Sequence, residues 1–359
     1  MTSTTDSANR LITPGFVDAH IHPDKTSWGS AWLSRKPAAS LSDLISNDMA
    51  TQLAYRDSVE HRMGALVEQA IANGTTAMRA HIDFGTRIGL KNIHAARSVA
   101  EKYRELLDLQ VVAFPQFGLL TDPGSVELLE AALTEGADLV GGIDPVGLEH
   151  DLHGHLDVVF GLSQKHSRDI DIHVHDMGPE GLAELREIAS RTKALGLRDR
   201  VTVGHAFAIC EAASADLEHT LEALAEAGVW IATCALGPDP VPDLDLLEKH
   251  GVKLALGSDG VRDAWSPFGT GSMVDRMHLL SYRTGAITDA ELRRCFEIAT
   301  SGGARLLGID RVLDFDPATA TDYVQFDQPG IAQLVVDRPV PAAVVRGGHR
   351  VAAAGALLG

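Results

Sequence analysis

The sequence predicts an α/β protein: a closed (β/α)8 barrel of the TIM type with a small, reduced β appendage formed mainly by the C-terminus. Three observations carry that prediction. Short apolar runs alternate with helix-period stretches eight times before Asp316, the pattern of a parallel sheet wrapped by helices. The ends of those runs collect His, Asp and Gln, side chains that a barrel would gather at one mouth. After Asp316 the alternation stops and short β-branched runs around turn residues take over. The expected units are a tail at 1–13 that joins the appendage, a barrel at 14–315, and the appendage at 316–359.

The first barrel strand follows Pro14-Gly15 and reads Phe16-Val17-Asp18-Ala19 before ending on His20 and His22. In a strand, residues i and i+2 share a side, so both imidazoles would reach one ion. Neutral imidazole ligates zinc or ferrous iron at about 2.0–2.1 Å. The pair alone is weak. With 16 histidines in 359 residues, chance supplies about one H-x-H, and His153/His155 and His173/His175 are two further cases.

Next comes a loop from Thr26 to Ser40 that carries Trp28 and Trp32 and is placed as a lid. Ser40 and Asp43 open a helical pattern that runs, with a break, to Ala72, where Asn73-Gly74 stops it. The remaining strands are read at 75–83, 109–116, 139–144, 169–175, 200–206, 229–234 and 252–259. Helices are read at 91–107, 124–135, 155–167, 179–195, 214–227, 242–250, 271–284 and 288–307. In the appendage, LVVDRPV and AAVVRGGHRV read as short strands. Residues 1–10 are polar and read as a loose tail.

Composition bounds the function. At 359 residues and 45% hydrophobic, the chain can bury a large core. A net charge of −18 argues against nucleic acid and anionic membrane surfaces as partners. Cys210, Cys234 and Cys295 are odd in number and far apart, so they read as buried thiols in a reducing compartment. The N-terminal stretch lacks the form of a signal peptide, and a cytoplasmic enzyme with a small-molecule substrate is the expectation; assembly into a homo-oligomer stays open.

Reading off the strand ends gives His20, His22, His81, Asp83, Gln116, Asp144, His173, His175, Asp176, His205 and Asp259. Together with the segments PGFVDAHIHPDKT, AMRAHID, VVAFPQFGLL, ADLVGGI, IDIHVHD, VTVGHA and LGSDGVRDAWSPFGTGSM, this ordered set resembles the amidohydrolase superfamily, in its cytosine deaminase-like branch. The resemblance implies one divalent ion, Zn²⁺ or Fe²⁺, held by His20, His22, His173 and Asp259. It implies that His205 contacts the substrate and the attacking oxygen, that Gln116 hydrogen-bonds a heterocycle, and that Trp265 lies beside the pocket. His81, Asp83, His153, His155 and His175 receive no catalytic role and read as structural or supporting residues.

The implied reaction is deamination of a cyclic amidine or aminopyrimidine-like ring. Hydroxide generated on the ion attacks, Asp259 takes a proton, His205 steadies the developing charge, and ammonia departs. Two departures from the family pattern stand out. Asp176 occupies the position of the family's glutamate proton shuttle, and Gly260 replaces a second aspartate, which argues against cytosine itself. No lysine in the fourth strand is available for a two-metal carbamate. The alternatives are hydrolysis of a cyclic amide or of an N-substituted amino-heterocycle, with release of an amine or ring opening, and, remotely, a non-catalytic scaffold.

Overall fold

A computed structural model describes residues 10–358, apart from the side chains of residues 41 and 42. Residues 1–9, the bulk of the expected loose tail, lie outside the described residues. Thirteen strands run in chain order: β1 (Leu11–Thr13), β2 (Phe16–Ile21), β3 (Thr75–Asp83), β4 (Asp108–Phe114), β5 (Leu139–Ile143), β6 (Asp169–Val174), β7 (Val201–His205), β8 (Trp230–Thr233), β9 (Lys253–Leu256), β10 (Tyr323–Phe326), β11 (Ala343–Arg346), β12 (His349–Ala353) and β13 (Ala356–Leu357). Strands β2 to β9 form one parallel eight-stranded sheet in sequence order, with helices between successive strands. The ends of that sheet meet. Ile21 bridges Asp259, the Asp259 N–H donates to the His20 carbonyl at 2.7 Å, and the His22 N–H donates to the Asp259 carbonyl at 3.2 Å. The protein is therefore a (β/α)8 barrel.

The strands are buried on both faces, as apolar runs covered by helices outside and by each other inside must be. The lower interior is charged rather than aliphatic. Arg79 on β3 donates to Asp171 at 3.0 Å and to Thr202 at 2.9 Å, and its other donors reach Gln110 and the Leu306 carbonyl. One guanidinium thus ties four strands and the helical segment Gly303–Leu307 together.

The second sheet is antiparallel in the order β1-β10-β11-β12-β13. It shares an apolar core with the barrel's first strand: Phe16 meets Phe296 at 6.0 Å and Phe326 at 6.2 Å, both edge to face. Two readings of the appendage need correction. LVVDRPV is not a strand; Ile331–Asp337 is a helix that buries Leu334 and Val335. Its apolar residues Ile331, Leu334 and Val335 stand at i, i+3 and i+4, and this spacing prevails over the β-branched valines. A strand missed by the reading, β10, lies in the polar stretch around Tyr323 and pairs with β1 and β11. The helix read at 288–307 is interrupted by a π-helical turn at Ile298–Gly302.

Arg79→Ala leaves Asp171, wholly buried, without its cation. The expected loss is about 3–5 kcal/mol in urea denaturation, and Arg79→Met with Asp171→Leu should recover most of it. A single variant within 1 kcal/mol of wild type, roughly the median of an exposed pair, would refute the interior clamp.

Candidate metal centre and substrate site

The barrel's C-terminal mouth gathers the histidines at the strand ends. His20 and His22 close β2, His173 stands near the end of β6, His205 ends β7, and Asp259 follows β9. The backbone there departs from ordinary strand geometry: Asp144, His205, Ala206, Ala235 and Asp259 all have positive φ without being glycine. Such conformations cost about 1–3 kcal/mol each and collect where a site needs them. Glycine supplies the remaining room. A Cβ at Gly257 would stand 2.5 Å from the His20 backbone, and one at Gly204 would stand 2.8 Å from the His20 ring.

The four residues expected as ligands come together. His22 Nε2 lies 3.1 Å from His173 Nε2 and 3.3 Å from an Asp259 carboxylate oxygen, and His20 Nε2 is 3.9 Å from the same oxygen. Burial is the main reason that His20, His22 and His173 titrate well below the ordinary histidine range, and neighbouring positive groups add to it. These rings are neutral at pH 7 and offer lone pairs. Both nitrogens of His20, and Nδ1 of His22 and His173, are buried without a hydrogen-bond partner. Three neutral imidazoles and a carboxylate aimed at one another, with orphaned nitrogens, suit a divalent cation of the zinc or iron type.

His81 lies beneath this group. Its ring is 4.0 Å from that of His20, and its Nε2 is 3.1 Å from Asp171, which joins the ligands to the Arg79 network. His155 is buried against Glu149 at 3.3 Å, and His153 is exposed on a helix beside Glu187.

Gln116, expected on the substrate side, is buried, and its carbonyl oxygen accepts from the Lys25 ammonium. Lys25 is a residue that the sequence reading missed, though it stands three places after His22. Its ammonium is 3.3 Å from Asp83 and lies 5.3 Å from the Phe114 ring and 5.5 Å from the Trp265 ring. Burial alone would discharge it. Asp83, Asp48, Asp24 and Asp263 outweigh burial and push its pKa upward, so it stays cationic. Asp48 comes from the helix Leu41–Ala54, as does Gln52, which donates to Asp83 at 3.3 Å, so that helix reaches the mouth. Gly260 has a concrete neighbour: a Cβ there would meet the Asp263 carboxylate at 2.2 Å. Asp263 holds that space, and burial pushes its pKa up to about 7.

Asp176 and His175 take places that differ from the sequence reading. The Asp176 carboxylate accepts from the Gly147 N–H at 2.9 Å and faces Glu184 on the neighbouring helix Gly178–Ala194. His175 instead stacks on His205 with ring centres 4.4 Å apart, and its Nδ1 lies 2.9 Å from Asp144, which is buried. The i, i+2 rule applied to His20 and His22 holds for His173 and His175 too; that signal was available and went unused.

Glu184 is buried, and burial first, then the Asp176 and Asp144 charges, push its pKa up to about 9. The folded state keeps a proton that an unfolded glutamate sheds near 4.3, so stability falls as pH rises from there through about 9. Glu184→Gln should match wild type in thermal unfolding at pH 5 and exceed it at pH 9. Equal melting temperatures at both pH values would show that the group carries no such proton.

Residues 47–351 match the amidohydrolase family. N-isopropylammelide isopropyl amidohydrolase of Pseudomonas sp. (strain ADP) is 32% identical over 96% of this chain and 86% of its own length. The structure of N-isopropylammelide isopropylaminohydrolase from Burkholderia multivorans superposes with a TM-score of 0.91 at 36% identity, covering 97% of this chain and 88% of that one. The 5-methylcytosine deaminase of Klebsiella pneumoniae shares the fold, with a TM-score of 0.85 at 22% identity over 98% and 90% of the two chains.

Proposed function

Since this chain belongs to the amidohydrolase family and is a hydrolase of carbon–nitrogen bonds other than peptide bonds, we propose that it removes an exocyclic amino group from an oxygenated nitrogen heterocycle, using one divalent ion. The observation that carries the proposal is the meeting, at one mouth, of His20, His22, His173 and Asp259 with the Lys25–Gln116 pair. The ion, Zn²⁺ or Fe²⁺, would be held by those three histidines and Asp259. When bound, it lowers the pKa of water from about 15.7 toward about 7.

The chain's own residues supply the rest. The Gln116 carbonyl is occupied by Lys25, so its amide N–H groups remain to donate to a ring oxygen or nitrogen. Lys25, cationic and buried, favours a ring that carries negative charge on an oxygen. Trp265, which stands beside Lys25, would cover a flat ring. Asp259 accepts a proton from the attacking water. His205, held neutral by burial, presents an N–H to the charge that develops on oxygen.

The proton for the departing nitrogen is assigned to His175 rather than Asp176. Asp144 faces Nδ1 and fixes the proton there, which leaves Nε2 to carry a proton to the substrate. Asp176 is occupied with Gly147 and Glu184. Ammonia release and amine release differ only in the leaving group. The likeness to two isopropylaminohydrolases over nearly the whole chain favours the amine. A scaffold has no use for such a site.

Elemental analysis should find one equivalent of zinc or iron in wild type and little in His173→Ala. Two equivalents in wild type would overturn the mononuclear reading. With a panel of N-alkylamino- and amino-substituted triazinediones and pyrimidinones, His175→Gln should cut kcat by about 100-fold or more at unchanged metal content, and Asp176→Asn by less than about tenfold. The reverse order would return the shuttle to Asp176. Failure of the metal-loaded protein on the whole panel would refute the substrate class.

A further inference from the structure

Lys25 reaches the mouth from a turn rather than from a strand. Its N–H donates to the His22 carbonyl at 3.4 Å, so the turn starts at a proposed ligand. A turn has no sheet ladder to fix it, yet a charge meant for one spot has to be held there. The residues on either side of Lys25 supply the hold. The Asp24 carboxylate accepts from the Asp83 N–H on β3 and from Asn92 on the helix Lys91–Tyr103, both at 2.9 Å. The Thr26 hydroxyl donates to the Val261 carbonyl, beyond β9, at 2.7 Å.

Arg62 completes the grip. It stands on the helix Val59–Ala72 and is wholly buried. Its Nε donates to the Thr26 carbonyl at 2.8 Å and Nη2 to the Asp24 carbonyl at 3.1 Å, so one guanidinium holds the carbonyls before and after Lys25. Nη1 donates to the Asp57 carbonyl at 2.7 Å, and the guanidinium carbon lies 4.0 Å from the centre of the Tyr55 ring. Every hydrogen bond that Arg62 makes among the described residues ends on a backbone carbonyl, none on a carboxylate. A buried cation without a counter-ion is costly. A planar fork gathers three carbonyls at once, which the single point charge of a lysine cannot do.

Resting on the reading above, we infer that Arg62 is the positioning residue for Lys25. It holds the turn so that the ammonium stays among Gln116, Asp83 and the Phe114 and Trp265 rings, and thereby sets affinity for a ring that carries negative oxygen. Arg62 acts through Lys25 and not on the substrate. An oxygen already negative in the ground state is held equally before and during attack, so the influence falls on KM and leaves kcat nearly intact.

The test is a double-mutant cycle on metal-loaded protein, with metal content and cooperative unfolding checked first. Arg62→Lys keeps a buried cation and loses the fork. Calorimetry with barbiturate, an unreactive ring with anionic oxygen, should show binding weakened at least about tenfold, while binding of uncharged 1,3-dimethyluracil changes less than about twofold. In a Lys25→Met background, the same change at Arg62 should add less than about twofold for barbiturate; a merely structural arginine would cost the same in both backgrounds. On a ring that is turned over, KM should rise while kcat falls less than about threefold. If Arg62→Lys does not fold, Tyr55→Leu loosens the guanidinium from its other side and should weaken barbiturate binding at least about twofold, again sparing the uncharged ring. Equal losses for charged and uncharged rings, equal losses in both backgrounds, unmoved barbiturate binding, or a loss confined to kcat would overturn the inference. If wild type binds no barbiturate, the proposed substrate class fails by itself, and a crystal structure of the folded variant decides the role of Arg62. An ammonium withdrawn from Gln116 supports it, and an ammonium still in place overturns it.

Discussion

The site depends on how the barrel closes. An open sheet of eight strands would leave β2 and β9 as edges, each with unpaired backbone groups. Here the edges join through two hydrogen bonds, from the Asp259 N–H to the His20 carbonyl and from the His22 N–H to the Asp259 carbonyl. Those bonds alternate along the two chains, so His20, Asp259 and His22 become neighbours by backbone geometry before any side chain is considered. The positive φ of Asp259 and the missing Cβ of Gly257 let the seam close around the His20 backbone. The seam that completes the barrel also assembles three of the four proposed ligands.

Burial at that seam sets the charge states. Imidazoles taken from water become poor bases for a second proton, and His20, His22, His173 and His205 are all held neutral by that desolvation. Lys25 is equally buried, yet its ammonium stays charged because Asp83, Asp48 and Asp24 surround it. Asp83 and Asp48 are themselves pushed upward, first by burial and then by the charge of Asp24. The mouth is thereby divided. One side keeps a fixed cation beside Gln116, and the centre keeps three uncharged imidazoles beside the Asp259 carboxyl. The far side carries His175 and Asp144. The proposed substrate, with negative oxygen at one end and an exocyclic nitrogen at the other, would match that division.

Much of this was legible in the sequence. Period-2 and period-3.6 patterns are local, and they mark the eight strands and most helices because each strand is buried and each helix has one apolar face. The proposed ligand residues stand out in the sequence because they end those strands. Other parts were not legible. β10 is a strand through its pairing with β1, more than 300 residues away, and nothing within the polar stretch around Tyr323 announces that partner. Lys25 was hidden because its importance comes from Asp48 and Asp83, which are distant in sequence and supplied by the helix Leu41–Ala54 and by β3. The helix Ile331–Asp337 was misread because composition was weighed above spacing.

The proposed exchange of roles between Asp176 and His175 rests on strand parity. Counting residues from His173 makes Asp176 the family's shuttle position, but position along the chain is not direction in space. Residues i and i+2 share a face, so His175 continues the inward side of His173 and reaches the ring of His205. Asp176 stands at an odd offset beyond the end of β6, where the chain turns into the helix Gly178–Ala194, and it meets Glu184 on that helix. A glutamate in its place has one more methylene with which to reach back over the mouth. An aspartate that has lost this reach and gained a buried carboxyl neighbour needs a substitute at the mouth, and His175, oriented by Asp144, is placed to be that substitute.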